Sequence, residues 1–250
     1  MSDEIDTRVS IDLHPGVVKA LECYDEDTET ILGPTVAAFT DAYTGIGKVH
    51  DAKEKARTNP TWNEARQLIE TDAFGDKVFA QVAKRFDSAA ANLKTVIGGI
   101  EKEFSVPIES KASGMIAAEI RAHVKGLKTS ERMAFVQAAI QDGDQRTATA
   151  ILGAPSYLSG LDRDLQTTLT RIYHEHHEPV KAKRLRAAQA GLELIENRGG
   201  LVHTQLAKAI GCIEVTQEGP NGRRIVTRRI FAKELKDKKS AAEKAFVLDA

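Results

Sequence analysis

Apolar side chains recur at intervals of three and four residues along most of the chain, which is the spacing of one face of an α-helix. The pattern predicts a first long helix over 33–57 and a second over 62–104. Pro34 should lie in the first turn of the first helix, where its missing N–H costs no hydrogen bond. Asn59 or Thr61 is expected to cap the second helix.

The second long helix carries two apolar rows with a seven-residue repeat. One row is Phe79, Phe86, Leu93 and Ile100, and the other is Ala83, Ala90, Ile97 and Phe104. Two such rows indicate a coiled-coil seam or a long bundle helix, whose stripe must be covered by the same chain or by other chains. The candidate interaction residues are therefore Phe79, Phe86, Leu93, Ile97, Ile100 and Phe104. The apolar repeat loses its register over 72–76, and we expect a kink or short break of the helix there.

Shorter helices follow, separated by turn-forming residues. They are predicted over 112–126, 130–141, 145–152, 162–177, from 180 to 197, and over 201–210. Gly143 should end one helix and Asp144 should cap the next, because Gly tolerates a positive φ and Asp accepts backbone N–H bonds. Pro179 is expected to separate two helices, and Gly199-Gly200 to end another.

After Gly211 the spacing of apolar residues changes from that of a helix toward alternation of every second residue, which is typical of a strand. The segments 212–216 and 224–231 are β-branched and flank Asn221-Gly222, which predicts a hairpin with a tight turn. The charged tail from Lys233 is expected to form a loose helix.

The fold class is therefore mainly α, with a long helical hairpin, a multi-helix bundle and a small C-terminal β-hairpin. Four segments are predicted: an acidic, extended N-terminal arm over 1–30 with one short helix, the hairpin over 31–104, the bundle over 110–210, and the basic β-hairpin and tail over 211–250.

Composition narrows the class of protein. The chain of 250 residues is 42% hydrophobic and 28% charged, which is enough apolar content for a core, whereas 5% aromatics argues against an all-β sandwich. The longest uncharged run is interrupted by Gly and Pro, so no membrane span is expected. The acidic N-terminus does not resemble a signal peptide, and Cys23 and Cys212 lie far apart, which indicates a reducing compartment. We expect a cytoplasmic location, without secretion.

The net charge of −1 hides a strong asymmetry. Residues 1–30 carry a local net charge of −7, and residues 180–240 carry +8. Such regions can attract one another within a chain or between chains. The basic candidates are Arg223, Arg224, Arg228, Arg229, Lys236, Lys238 and Lys239. They could bind nucleic-acid phosphates without sequence specificity or contact an acidic protein surface.

Catalytic signatures are weak. His174 and His177 share a helical face and could hold a metal, but Glu178 occupies the position at which a zinc-protease motif needs its second His. A solvated helix end before Pro179 is the favoured interpretation. No Ser or Cys lies in a nucleophile motif, so we expect a protein that is not an enzyme, with no metal and no cofactor.

Residues 150–161, with the sequence AILGAPSYLSGL, resemble a phrase found in uncharacterised helical proteins of tailed bacteriophages and prophages. The resemblance implies a phage accessory or virion protein. Within this segment Tyr157 and Leu158 are expected to tuck into the bundle, with Ser159 or Asp162 capping the next helix. The leading hypothesis is a structural protein that self-associates through its long helices or binds other virion proteins. The alternative is a nucleic-acid-binding accessory protein.

Overall fold

The computed structural model of the protein describes residues 5–218 and 224–244. This part of the chain is mainly α with one two-stranded antiparallel sheet, which confirms the predicted fold class. A 3-10 turn at Ile11–Leu13 precedes the elements α1 (Gly16–Lys19), α2 (Glu29–Arg57), α3 (Glu64–Phe104), α4 (Gly114–Gly126), α5 (Thr129–Gln141), α6 (Gln145–Leu152), α7 (Ser156–Ser159), α8 (Arg163–His177), α9 (Pro179–Ile210), β1 (Ile213–Glu218), β2 (Arg224–Ile230) and α10 (Ala232–Lys244).

Two compact units make up the described chain. Unit 1 contains residues 5–24, 32–91, 191–218 and 224–244, and unit 2 contains residues 25–31 and 92–190. The long helices α2, α3 and α9 each have residues in both units. The predicted four-segment division follows the order of elements along the chain and differs from these units, because a sequence pattern does not show which distant segments pack together.

The N-terminal residues of unit 1 are folded into it. Leu13 and Val18 are fully buried. The Tyr43 hydroxyl donates a hydrogen bond to the Asp6 carbonyl at 3.0 Å, and the Arg8 guanidinium pairs with the Asp51 carboxylate at 2.8 Å. The expectation of an extended arm was therefore wrong. Acidic residues dominate the composition of this segment, but apolar side chains within it are buried in unit 1.

Close packing joins α2 to α3 in unit 1. The rings of Phe39 and Phe86 lie 5.2 Å apart between centroids. A Cβ at Gly45 would lie 2.8 Å from Val78 Cγ1, so the glycine lets the two helices approach. The helix α2 begins at Glu29, so Pro34 lies inside it and not in its first turn.

The N-cap of α3 differs from both predicted residues. Asn63 accepts the backbone N–H of Arg66 at 2.9 Å, whereas Asn59 accepts from Thr61 within the preceding turn. A side-chain amide immediately before the helix is better placed for capping than either residue further upstream.

Glycines inside the long helices do not break them. The helix α3 is continuous across 72–76, and a Cβ at Gly75 would lie 2.7 Å from Ile210 Cδ1, so this glycine admits the end of α9. The helix α9 likewise runs through Gly199-Gly200. The predicted break and the predicted helix end were wrong, because a helical glycine keeps its N–H and costs only about 1 kcal/mol, which packing of its neighbours can offset.

Unit 2 has its own apolar core. Its members are Ile108, Val124, Val136, Ile140, Ala148, Ile151, Leu152, Leu161, Leu169 and Tyr173. Turn residues set the helix ends as predicted. Gly143 adopts φ +71° after α5, and Asp144 caps α6 by accepting the Thr147 N–H at 3.0 Å. The hydrogen bonds that the Asp144 carboxylate accepts from the side chain and backbone of Thr147 lower the pKa of Asp144. Asp162 caps α8 in the same way, and Pro179 opens α9.

One arginine closes the C-terminal end of α4. The Arg132 guanidinium donates to the carbonyls of Val124 and Leu127 from Nε, of Lys125 from Nη2 and of Gly160 from Nη1, at 2.5–3.2 Å. Gly160 has φ +69°. We call these hydrogen bonds the Arg132 clamp. The clamp supplies donors to carbonyls at the C-terminal end of α4 and connects three helices of unit 2.

The predicted hairpin is present as β1 and β2, paired from Ile213 opposite Ile230. A bulge follows Val215. Asn221-Gly222 lies outside the described residues, and the predicted tail helix is α10. Among the helices of the described chain, none combines the length and apolar character that crossing a membrane requires.

Candidate functional site

The predicted seam of α3 is mostly buried by the chain itself. Phe86, Leu93 and Phe104 are buried, and Ile97 and Ile100 pack in unit 2 against a cluster formed by Phe104, Ala182 and Leu185. Phe79 is the exception. It is 40% exposed, and its ring meets that of His203 edge-on at 5.9 Å between centroids.

The buried residues of α3 mark one face of the helix. Leu68, Phe86 and Phe104 are all buried and lie 18 residues apart, which is five turns at 3.6 residues per turn. Beside Phe86 the buried residues are Val82 and Ala89, whereas the predicted neighbours Ala83 and Ala90 are only half-buried. Leu68, Gly75, Val82 and Ala89 are also buried, at seven-residue intervals, so the burial pattern does not separate the two periods and the coiled coil stays a prediction.

The basic residues predicted for nucleic-acid or partner binding already have acidic neighbours. The described pairs are Arg228–Glu234 at 2.5 Å, Arg229–Glu214 at 3.2 Å, Lys236–Asp72 at 2.5 Å, Lys236–Asp76 at 3.0 Å, Lys238–Glu234 at 2.8 Å and Lys239–Glu243 at 3.8 Å. The hydrogen bond from Lys236 to Asp72 raises the pKa of this lysine. Arg223 and the side chain of Arg224 lie outside the described residues. Each of the five described basic candidates therefore has an acidic partner within the chain.

The acidic N-terminal region has internal partners as well. In unit 1, Asp12 pairs with Arg198 at 3.1 Å. In unit 2, the Lys183 ammonium pairs with the carboxylates of Asp25 and Asp27, and its hydrogen bonds to them raise its pKa. The asymmetry seen in the sequence is thus used, at least in part, to join distant segments inside each unit.

The histidines at the end of α8 use their ring nitrogens within the protein. His174 Nε2 lies 2.9 Å from the Val106 carbonyl. His177 Nε2 lies 2.9 Å from the Gln145 amide nitrogen, and His177 Nδ1 lies 3.1 Å from the Tyr173 carbonyl. The assigned orientation of Gln145, whose Oε1 accepts from Lys111, makes His177 Nε2 an acceptor. In the described chain, no three His, Cys, Asp or Glu residues form a group that could hold a metal ion.

Unit 2 exposes apolar side chains on two helices that pack against each other. Tyr157 is 70% exposed and Leu158 41% exposed on α7, and Met115 is 77% exposed and Ile116 39% exposed on the first turn of α4. The helix α7 packs against α4. We call these four residues the apolar group. The prediction that Tyr157 and Leu158 tuck into the bundle was wrong, because α7 is only four residues long and buries Ser159 instead.

The segment that precedes α7 packs tightly against the segment that precedes α4. Gly153 lies against the backbone between Ile108 and Ser110, so tightly that a Cβ would come within 2.6 Å of the Ile108 carbonyl. The helices α4 and α7 begin a few residues beyond this contact. Sequence reasoning missed the exposure of the apolar group. For α7 a signal was available, since Pro155 and Gly160 leave room for only four helical residues.

Comparisons with protein-family models, with curated proteins and with solved structures gave no match to this chain. The functional interpretation therefore depends on the side chains described above.

Proposed function

We propose that the protein is a non-enzymatic structural protein that self-associates, and that the apolar group of unit 2 forms its interface. The exposure of Tyr157, Leu158, Met115 and Ile116 is the observation that carries the proposal. Large apolar side chains grouped on neighbouring surface helices are typical of protein-binding surfaces. Apart from Phe79, the predicted seam residues of α3 are already buried or half-buried by the chain itself.

A second copy of the chain is the proposed partner. The net charge of −1 means that two copies barely repel each other through their overall charge. A symmetric interface would use the same patch twice, so each exposed side chain would contribute two contacts. The resemblance of residues 150–161 to helical phage proteins extends the proposal to a virion or assembly component, in the particle or in the host cytoplasm.

Sedimentation velocity over a range of concentrations tests the proposal. We expect the wild-type chain to associate, and Tyr157→Ser combined with Leu158→Ser to raise the dissociation constant about 100-fold, because each copy loses about 1.4 kcal/mol of apolar burial. Val180→Ser is the matched control, since Val180 is 46% exposed in unit 2 but lies outside the apolar group.

Two results would overturn the proposal. The first is a wild-type chain that stays monomeric up to about 100 µM, which corresponds to an association too weak for a stable assembly. The second is an equal effect of the double variant and Val180→Ser. Duplex DNA added to the same runs tests the alternative of nucleic-acid binding. Co-sedimentation that weakens steeply with salt would favour the alternative over self-association as the role of the protein.

A further inference from the structure

Unit 2 contains a groove of about 650 Å³ beside α8, and none of its lining residues belongs to the apolar group. Pro107 gives it an exposed apolar surface, whereas Phe104 and Leu152 also line it but are buried. Its polar surface comes from the end of α3, including Glu101, and from one side of α8. The volume is within the range of small-molecule pockets, which combine apolar walls with a few convergent polar groups.

One side of α8 lines the groove with a regular set of polar residues. Arg163, Thr167, Thr170 and Arg171 all line it. Their spacing of four, three and one residues places them on one helical face. Both ends of the row are guanidinium groups, and hydroxyl groups lie between them. The row was not singled out in the sequence, because its residues belong to an ordinary exposed helix face until α3 is placed opposite.

The two arginines differ in their present partners. Arg171 Nε pairs with Glu175 at 2.8 Å. The guanidinium of Arg163, within the described chain, makes no ion pair and no hydrogen bond, and this side chain is exposed. A free guanidinium offers a planar set of donors that matches the oxygens of a phosphate or carboxylate group. Arg163 is therefore the position in the groove at which an oxyanion would bind.

Three further polar side chains of the groove offer acceptor oxygens. The Thr167 hydroxyl donates its hydrogen to the Arg163 carbonyl at 2.9 Å. The Gln166 amide nitrogen donates to the carbonyls of Leu152 and Ala154. Each side-chain oxygen keeps lone pairs. The Glu101 carboxylate is a further acceptor at the groove. A ligand that satisfies this set must supply hydrogen-bond donors as well as one anionic group.

We propose that the groove beside α8 binds a phosphorylated sugar, with the phosphate on Arg163 and the sugar hydroxyls donating to Thr167, Gln166 and Glu101. Sugar hydroxyls are donors for carboxylate, amide and hydroxyl oxygens. The exposed ring of Pro107 suits the carbon face of a sugar ring. The inference is independent of self-association, because it uses none of the apolar group.

Isothermal titration with ribose 5-phosphate, ribose and inorganic phosphate tests the inference on the full chain. We expect ribose 5-phosphate to bind more tightly than either fragment. Arg163→Gln should weaken binding of ribose 5-phosphate at least tenfold, as loss of a charge-assisted hydrogen bond does. Thr167→Val should weaken binding of ribose 5-phosphate but leave binding of inorganic phosphate unchanged.

Arg146→Gln is the matched control, since Arg146 is exposed on α6 of unit 2 and does not line the groove. The proposal is overturned if ribose 5-phosphate does not bind, if inorganic phosphate binds equally well, or if Arg146→Gln weakens binding as much as Arg163→Gln. Circular dichroism of each variant separates loss of the groove from loss of the fold.

Discussion

Removal of the Arg132 clamp should destabilise unit 2 selectively. The Arg132 guanidinium makes hydrogen bonds to four carbonyls, of which three belong to Val124, Lys125 and Leu127 at the end of α4 and one to Gly160 after α7. Arg132→Ala would leave the end of α4 without these donors and without a nearby positive charge. The helix dipole places partial negative charge at this end, so both changes act in the same direction.

The expected loss is about 3 kcal/mol in the free energy of unfolding. Hydrogen bonds to a charged group contribute about 1.5–3 kcal/mol each, but the freed carbonyls near the surface regain water, so only part of the sum is lost. Loss of the favourable charge at the helix end adds about 0.3–1 kcal/mol. Arg132→Lys should lose less, because it keeps the charge but one ammonium cannot reach all four carbonyls.

Urea denaturation followed by two signals measures the effect. Far-ultraviolet circular dichroism reports the helices of both units, whereas Trp62, the single tryptophan, reports unit 1. We expect the dichroism transition of Arg132→Ala to move to lower urea. Arg146→Ala, at an exposed arginine of the same unit, should change stability by less than about 0.5 kcal/mol. If Arg132→Ala were as stable as Arg146→Ala, the stabilising role of the clamp would be refuted.

Two further predictions concern unit 1 and the long helices. In urea denaturation, Gly45→Ala should destabilise the protein by about 1–3 kcal/mol, because the new Cβ would lie 2.8 Å from Val78 Cγ1. Gly98→Ala is the control, since a Cβ there meets open space and should stabilise α3 by up to about 1 kcal/mol. Equal effects of the two variants would contradict the close approach of α2 and α3. The hydrogen bonds from Arg8 lower the pKa of Asp6 from 3.8 to about 2, so this carboxylate stabilises the fold above pH 3.8 and the stabilisation is lost as the pH falls toward 2. Asp6→Asn should flatten that part of the stability profile, and an unchanged profile would contradict the assignment.

Much of unit 2 could be predicted from the sequence because its helix ends are marked by strong local signals. Asp142-Gly143-Asp144 predicted both the end of α5 and the cap of α6, and Pro179 predicted the start of α9. Such residues act through backbone conformation and nearby hydrogen bonds, which depend little on distant segments.

Features that depend on distant segments were harder to predict. Gly75 looked like a break in α3, but its role is to admit Ile210, which is 135 positions further along the chain. The stripe on α3 showed which face is buried, yet not that the same chain covers it. Arg163 and Thr167 likewise became candidate ligand contacts only once the structure showed the end of α3 beside α8.

The repeat of Leu68, Phe86 and Phe104 along α3 limits how the length of this helix can change. Each inserted or deleted residue rotates everything beyond it by about 100° around the helix axis. A single-residue insertion between Phe86 and Phe104 would therefore turn Phe104 away from its neighbours, whereas an added block of seven, eleven or eighteen residues would bring it back to nearly the same direction.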